Sequence, residues 1–204
     1  MLANIDALSL VVLVVSIIIS LTVHEFMHAF VGHKLGDTTA FDEGRVSFNP
    51  LRHIDPLTTV LLPIVTILLF HVPILAARPV PFNPARVKYD DYGSALISLA
   101  GPLSNFVMAF LAALAASIFA SGSLIEQILS VFVSLNVAIF VFNMIPIPPL
   151  DGSRVLYAFA PESVRRVFDQ IEPIGIFIIF SLVLLGGFGG ILTNLNQFVL
   201  NLLP

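Results

Sequence analysis

Long apolar runs dominate the chain, and polar residues gather in the stretches between them. A helix that crosses a bilayer needs roughly 20 mostly apolar residues. Four regions meet that length: about Ile5–Val31, Tyr92–Ala120, Leu124–Pro146 and Pro173–Leu192, the last weakened by Gly186-Gly187 and Gly189-Gly190. Thr193–Pro204 mixes apolar residues with three Asn and a Gln, which predicts an interfacial or packed terminal helix. Leu57–Ala77 is long enough to cross, yet Pro63 and Pro73 interrupt it, and each removes a backbone donor. It either spans once with a kink or dips in and returns on the same side.

Hydrophobic residues make up 57% of the 204 and charged ones 11%, with a mean hydropathy of +1.00. Soluble domains carry about 25% charged residues, so this chain lacks the polar cover for a water-facing surface. It predicts an all-α polytopic membrane protein: one bundle of about four to five transmembrane helices, with a re-entrant or kinked segment around 57–77, and the lipid bilayer as its surroundings. The net charge of -4 and the lack of a basic stripe argue against nucleic acid. There is no Cys, which excludes disulfides and leaves His and carboxylate as metal ligands. The N-terminus lacks the basic start and cleavage site of a signal peptide, so the first apolar segment is expected to be retained.

Charge separates the two readings of 57–77. If that segment re-enters, all nine Lys and Arg residues fall on one side, in 34–91 and 148–172. If it crosses, they split between the two sides. The positive-inside rule favours re-entry and predicts a multi-pass protein of the cell membrane with that side in the cytoplasm.

The chemistry lies at the end of the first apolar run, in His24-Glu25-Phe26-Met27-His28. On a helix the two His lie one turn apart on one face, which suits a shared zinc ion, and Glu25 is placed to act as a base. A hydrolytic zinc usually has three protein ligands and one open position. The best third ligand is Asp151, in Asn143-Met144-Ile145-Pro146-Ile147-Pro148-Pro149-Leu150-Asp151-Gly152. In the re-entrant topology the first and third spans run the same way, bringing Asp151 to the depth of the box. Asp151 is also suited to capping the helix that follows it.

The box, Ala100-Gly101-Pro102-Leu103-Ser104-Asn105 and the Asn-x-x-Pro-x-Pro-x-Leu-Asp-Gly pattern together resemble the site-2 protease family of intramembrane zinc metalloproteases. The resemblance covers about residues 20–155 and implies a compact form, without PDZ or CBS modules, in which 1–204 is a single membrane-embedded metalloprotease domain. It implies one Zn2+ ion held by His24, His28 and Asp151, with Glu25 as general base and acid. The substrate would be a transmembrane protein or peptide, cut within or next to its transmembrane segment near the cytoplasmic face. The family's substrate-holding polar residues map here to Asn105 and Asn143, and each offers an amide donor and acceptor in an apolar setting. The alternating stretch Gly44–Asn49 suits an edge on which an extended substrate pairs.

His53, in Asn49-Pro50-Leu51-Arg52-His53-Ile54-Asp55-Pro56, suits orienting substrate or shielding the metal, or else a loop bond to Asp55. His33 and His71 read as structural, and Asn136 as interhelical glue. Gly101-Pro102 suits a helix start. Arg165-Arg166 suit contact with anionic lipid heads. A rival reading, a divalent metal transporter or non-catalytic membrane scaffold, would need ligands strung along a path through the bilayer.

Overall fold

Asp6 starts the first helix by accepting a hydrogen bond from the Ser9 backbone N–H at 2.7 Å. From there α1 (Ala7–Lys34) runs 28 residues. Its burial is inverted relative to a soluble helix. Leu8, Val11, Val14, Val15, Ile18 and Ile19 are exposed, whereas Ser16, Ser20, His24, His28 and Gly32 are buried at a spacing of four. That spacing is one stripe of an α-helix. Lipid solvates the apolar surface, so the polar and small residues turn toward protein. Gly36, at φ +102°, adopts the left-handed conformation that follows the end of α1.

The computed structural model describes residues 6–54, 80–184 and 188–204. Beyond α1 the principal helices are α2 (Asp90–Ala116), α3 (Leu124–Asn143), α4 (Asp151–Phe159), α5 (Glu162–Ile171), α6 (Gly175–Leu184) and α7 (Gly189–Leu200). Among the described residues, α1, α2 and α3 are long and apolar enough to cross a membrane. His28 meets Ile97 and His24 meets Asn105, so α1 and α2 are antiparallel. Asn105 meets Asn136 near the middle of the bundle, and Ala113 and Ser117 share a cavity with Ser130 and Val133 nearer its far end, so α2 and α3 are antiparallel too. Hence α1 and α3 run the same way, as the sequence predicts. Ala109, Ala112 and Ala113 pack on Val133, Val137 and Val141, and Val199 of α7 closes that cluster. Small residues let these backbones approach closely where lipid supplies no hydrophobic drive.

The predicted re-entrant stretch 57–77 lies outside the described residues. Its flanks return to one end of the bundle: Lys88 N–H donates to Leu35 O at 2.9 Å, and Asn83 N–H to Asp37 Oδ2 at 2.7 Å. Asp37 is buried and also receives the hydroxyl of Thr39 at 2.6 Å. Burial alone would raise its carboxyl, but the bonds from Thr39 and Asn83 and the charge of Arg86 hold it below the usual carboxylate range.

Some expectations change. Pro102 lies inside α2, so the helix starts well before Gly101-Pro102. The fourth apolar region, 173–192, is divided: α6 ends at Leu184, 185–187 lie outside the described residues, and α7 begins at Gly189. Gly44–Asn49 forms an irregular turn, and no strand occurs among the described residues. Its backbone is committed inward: Arg45 N–H donates to Ala40 O at 2.8 Å, Ser47 N–H to Arg45 O at 2.9 Å, and Asn49 N–H to Ser47 Oγ at 3.1 Å. Arg165, expected at lipid heads, is engaged by protein groups. It pairs with Asp91 of α2, donates to the carbonyls of Ala158 and Ala160, and lies over the Tyr157 ring. It therefore ties α5 and the end of α4 to the start of α2. Arg166 is exposed and pairs with Glu162.

Candidate active site

Packing brings together the three side chains that the sequence separates. His24 and His28 lie on the buried stripe of α1, and their Nε2 atoms are 3.0 Å apart. Asp151 opens α4, which follows the turn after α3, and its Oδ2 lies 3.3 Å from each Nε2. Its carboxylate makes no capping bond: Leu150 occupies the cap position, and Ser153 N–H donates to the Leu150 carbonyl at 3.0 Å. Gly152 makes this approach possible, since a Cβ there would lie 2.3 Å from Met144 O.

The trio is the group of metal-ligating side chains that converges among the described residues. A tetrahedral zinc with bonds of about 2.0–2.1 Å to N and O has ligand–ligand edges of about 3.4 Å. The observed triangle fits that shape. Gly101 of α2 adds a second fit. A Cβ on it would lie 2.4 Å from His28 Nε2 and 2.7 Å from His24 Nε2, so the absence of a side chain keeps the ligating atoms clear.

His28 Nδ1 lies 2.7 Å from the Ile97 carbonyl. A carbonyl only accepts, so Nδ1 carries a proton, which makes Nε2 the nitrogen available to a metal. Glu25 follows His24 by 100° around the helix. It is buried, and its carboxylate has no hydrogen bond or ion pair among the described residues. Its acceptor capacity is therefore not spent on structure.

The other expected site residues fall elsewhere. Asn105, expected on substrate, is fully buried, and both ends of its amide are committed within the protein: Oδ1 faces His24 Nδ1 at 2.6 Å and Nδ2 donates to Asn136 Oδ1 at 2.9 Å. Asn143 ends α3, half-buried, with Nδ2 donating to Ile139 O at 3.0 Å. His53 is buried, and its Nε2–H donates to Ser47 O at 2.8 Å. Its Nδ1 is then an acceptor with no partner among the described residues. It lines a small apolar cavity of about 60 Å³ with Ile17, Ile18, Leu21, Thr22, Pro50 and Ile54. Ile18, Leu21 and Thr22 share the face of α1 that carries Glu25. Sequence reasoning missed Gly101 and the Ile97 carbonyl. The run of small or polar residues four apart, from Ser16 to Gly32, was the readable signal of the inward face.

The model of Peptidase family M50 matches residues 117–186. The Bacillus subtilis (strain 168) protein named "Putative zinc metalloprotease YwhC" is 37% identical over an alignment of 185 positions that covers 82% of this chain and 77% of that protein. The chain belongs to peptidase family M50, the site-2 protease family. As an M50 peptidase it is a zinc metalloprotease, and Zn2+ is its cofactor, in keeping with the His-His-Asp group. Two further relatives are "Putative zinc metalloprotease Rip2" of Mycolicibacterium smegmatis and "Putative zinc metalloprotease MJ0611" of Methanocaldococcus jannaschii. The first is 27% identical over 82% of this chain and 64% of its own length, the second 33% over 65% and 62%. No solved structure matches.

Proposed function

We propose that this M50 peptidase is an intramembrane endopeptidase that hydrolyses peptide bonds within or next to transmembrane segments, from the cytoplasmic side. The observation that carries the reading is the meeting of His24, His28 and Asp151 on and beside a membrane-length helix whose outer face is apolar. His24, His28 and Asp151 would hold one zinc ion. When bound, zinc acts as a Lewis acid toward the scissile carbonyl and makes water nucleophilic near neutral pH.

The remaining work falls to the chain. Glu25 accepts the proton from the attacking water and delivers it to the leaving nitrogen as the C–N bond breaks. The substrate must unwind there, because a helix keeps its carbonyls in hydrogen bonds. Two groups suit an unwound backbone. Asn143 retains its Oδ1 as an acceptor, and His53 Nδ1 is an unused acceptor in an apolar recess beside the Glu25 face. A buried acceptor without a partner is costly, so a substrate N–H seated there gains more than it would at a wet surface. A transporter would need several ligand groups along its path, and one converging group is found among the described residues.

In liposomes, the protein should cleave a bilayer-spanning peptide. A chelator should stop cleavage and zinc should restore it. Equal cleavage of a soluble peptide of the same sequence would defeat the intramembrane reading.

Lys34, Arg45, Arg52, Arg86, Lys88, Arg154, Arg165 and Arg166 all lie at or beyond the end where α1 finishes and α2 begins. That distribution supports a cytoplasmic active site. A reporter fused after Ser121 should be found outside the cytoplasm and one fused after Pro161 inside; the opposite pattern would reverse the topology.

A further inference from the structure

A polar chain crosses all three long helices and ends on a metal-ligating ring. Its direction follows from its far end. Asn136 Nδ2 lies 2.9 Å from the Phe132 carbonyl, which only accepts. Asn136 therefore presents Oδ1 to Asn105, at 2.9 Å. Asn105 must answer with Nδ2, which also points at the Ser20 carbonyl at 3.4 Å. That leaves Asn105 Oδ1 for His24 Nδ1, at 2.6 Å, so His24 Nδ1 has to carry the proton. Nε2, beside Asp151, is then the nitrogen left for a metal. Asn105 and Asn136 are both wholly buried, so water offers no alternative partner.

We propose that Asn105 and Asn136 are positioning residues that lock His24 in its Nδ1–H form, readying Nε2 for zinc before the metal arrives. The proposal rests on the reading of His24 as a ligand. Asn136 touches no ligand and acts through Asn105: it stops the Asn105 amide from turning its NH2 toward the ring. Such a turn would place the proton on Nε2 and oppose metal binding. His28 is set independently by the Ile97 carbonyl, so the two rings are prepared from different parts of the bundle.

The test needs two readouts. In metal-free wild-type protein with 15N-labelled histidine, the two imidazoles whose signals move on zinc addition should both be protonated at Nδ1 at neutral pH. Finding either one with its proton on Nε2 and none on Nδ1 overturns the lock. Zinc affinity is then measured by competition with a chelator in folded, monodisperse detergent samples. Asn105→Leu should weaken zinc binding by about 10–100-fold, the range for loss of such an outer partner. Asn136→Leu should weaken it in the same direction. Asn105→Asp, which can still accept from Nδ1–H, should stay closer to wild type than Asn105→Leu. Wild-type affinity in both Leu variants, or equal losses in Asn105→Leu and Asn105→Asp with the Nδ1 proton unchanged, sinks the proposal. A wild-type protein that takes up no zinc would instead sink the ligand reading itself.

Discussion

Glu25→Gln should keep its zinc and lose its peptidase activity. Gln has nearly the shape of Glu but cannot take up a proton, so the attacking water keeps its proton and the leaving nitrogen receives none. General acid–base catalysis contributes roughly 10²–10⁴-fold, and Glu25 serves both steps, so cleavage of a bilayer-spanning peptide should fall by about that factor or more. The metal should stay, because Glu25 lies outside the group formed by His24, His28 and Asp151. Elemental analysis of the purified variant, alongside the liposome assay, checks both halves. A variant that cuts within a few-fold of wild type would remove Glu25 from the chemistry. One that has lost its zinc would make Glu25 a ligand.

Gly101→Ala should abolish zinc binding while adding one methyl group. The new carbon would lie 2.4 Å from His28 Nε2, 2.6 Å from His28 Cε1 and 2.7 Å from His24 Nε2, well inside contact distance. The rings cannot simply step aside. His28 is held by the Ile97 carbonyl and His24 by Asn105, and both partners sit on α2 with Gly101. Either the rings break those bonds or α1 and α2 part. Overpacking of this kind costs about 1–3 kcal/mol, and either escape misplaces the ligating nitrogens. Gly32→Ala is the matched control on α1, since its Cβ would meet Ile97 Cδ1 at 3.6 Å, an ordinary contact. Zinc content and thermal unfolding should separate the two: Gly32→Ala near wild type, Gly101→Ala metal-free. Full zinc occupancy in Gly101→Ala would mean that the site has slack these distances deny.

Spacing along a single helix was the easiest feature to read. Two His one turn apart, at the end of an apolar run, are close in space whatever else the chain does. Asp151 was also legible, because a ligand was missing and the re-entrant topology brought one carboxylate to the right end. Asn105 shows where this reasoning stops. The family resemblance assigned it to substrate, but an amide in a membrane helix is equally served by a partner on the next helix, and only packing names that partner. Asn136 was recognised as glue, yet nothing along the chain said that it reaches His24 through Asn105. Gly44–Asn49 misled for a related reason. Alternation predicts a strand only if the backbone is free to extend, and here the N–H groups of Arg45, Ser47 and Asn49 fold back on Ala40, Arg45 and Ser47.

Composition and the placing of apolar runs were sufficient for a helical membrane protein, since lipid admits long apolar helices and little else. The His24–His28 box, local to one helix, pointed to the metal, and together with the Gly-Pro and Leu-Asp-Gly motifs to the reaction class. Tertiary structure alone decided which atoms surround the two rings: a glycine with no side chain at their Nε2 edges, and a main-chain carbonyl and a pair of amides on their Nδ1 sides. Those neighbours come from other helices, and their positions follow from how three helices stack at close range, which no spacing within one of them encodes.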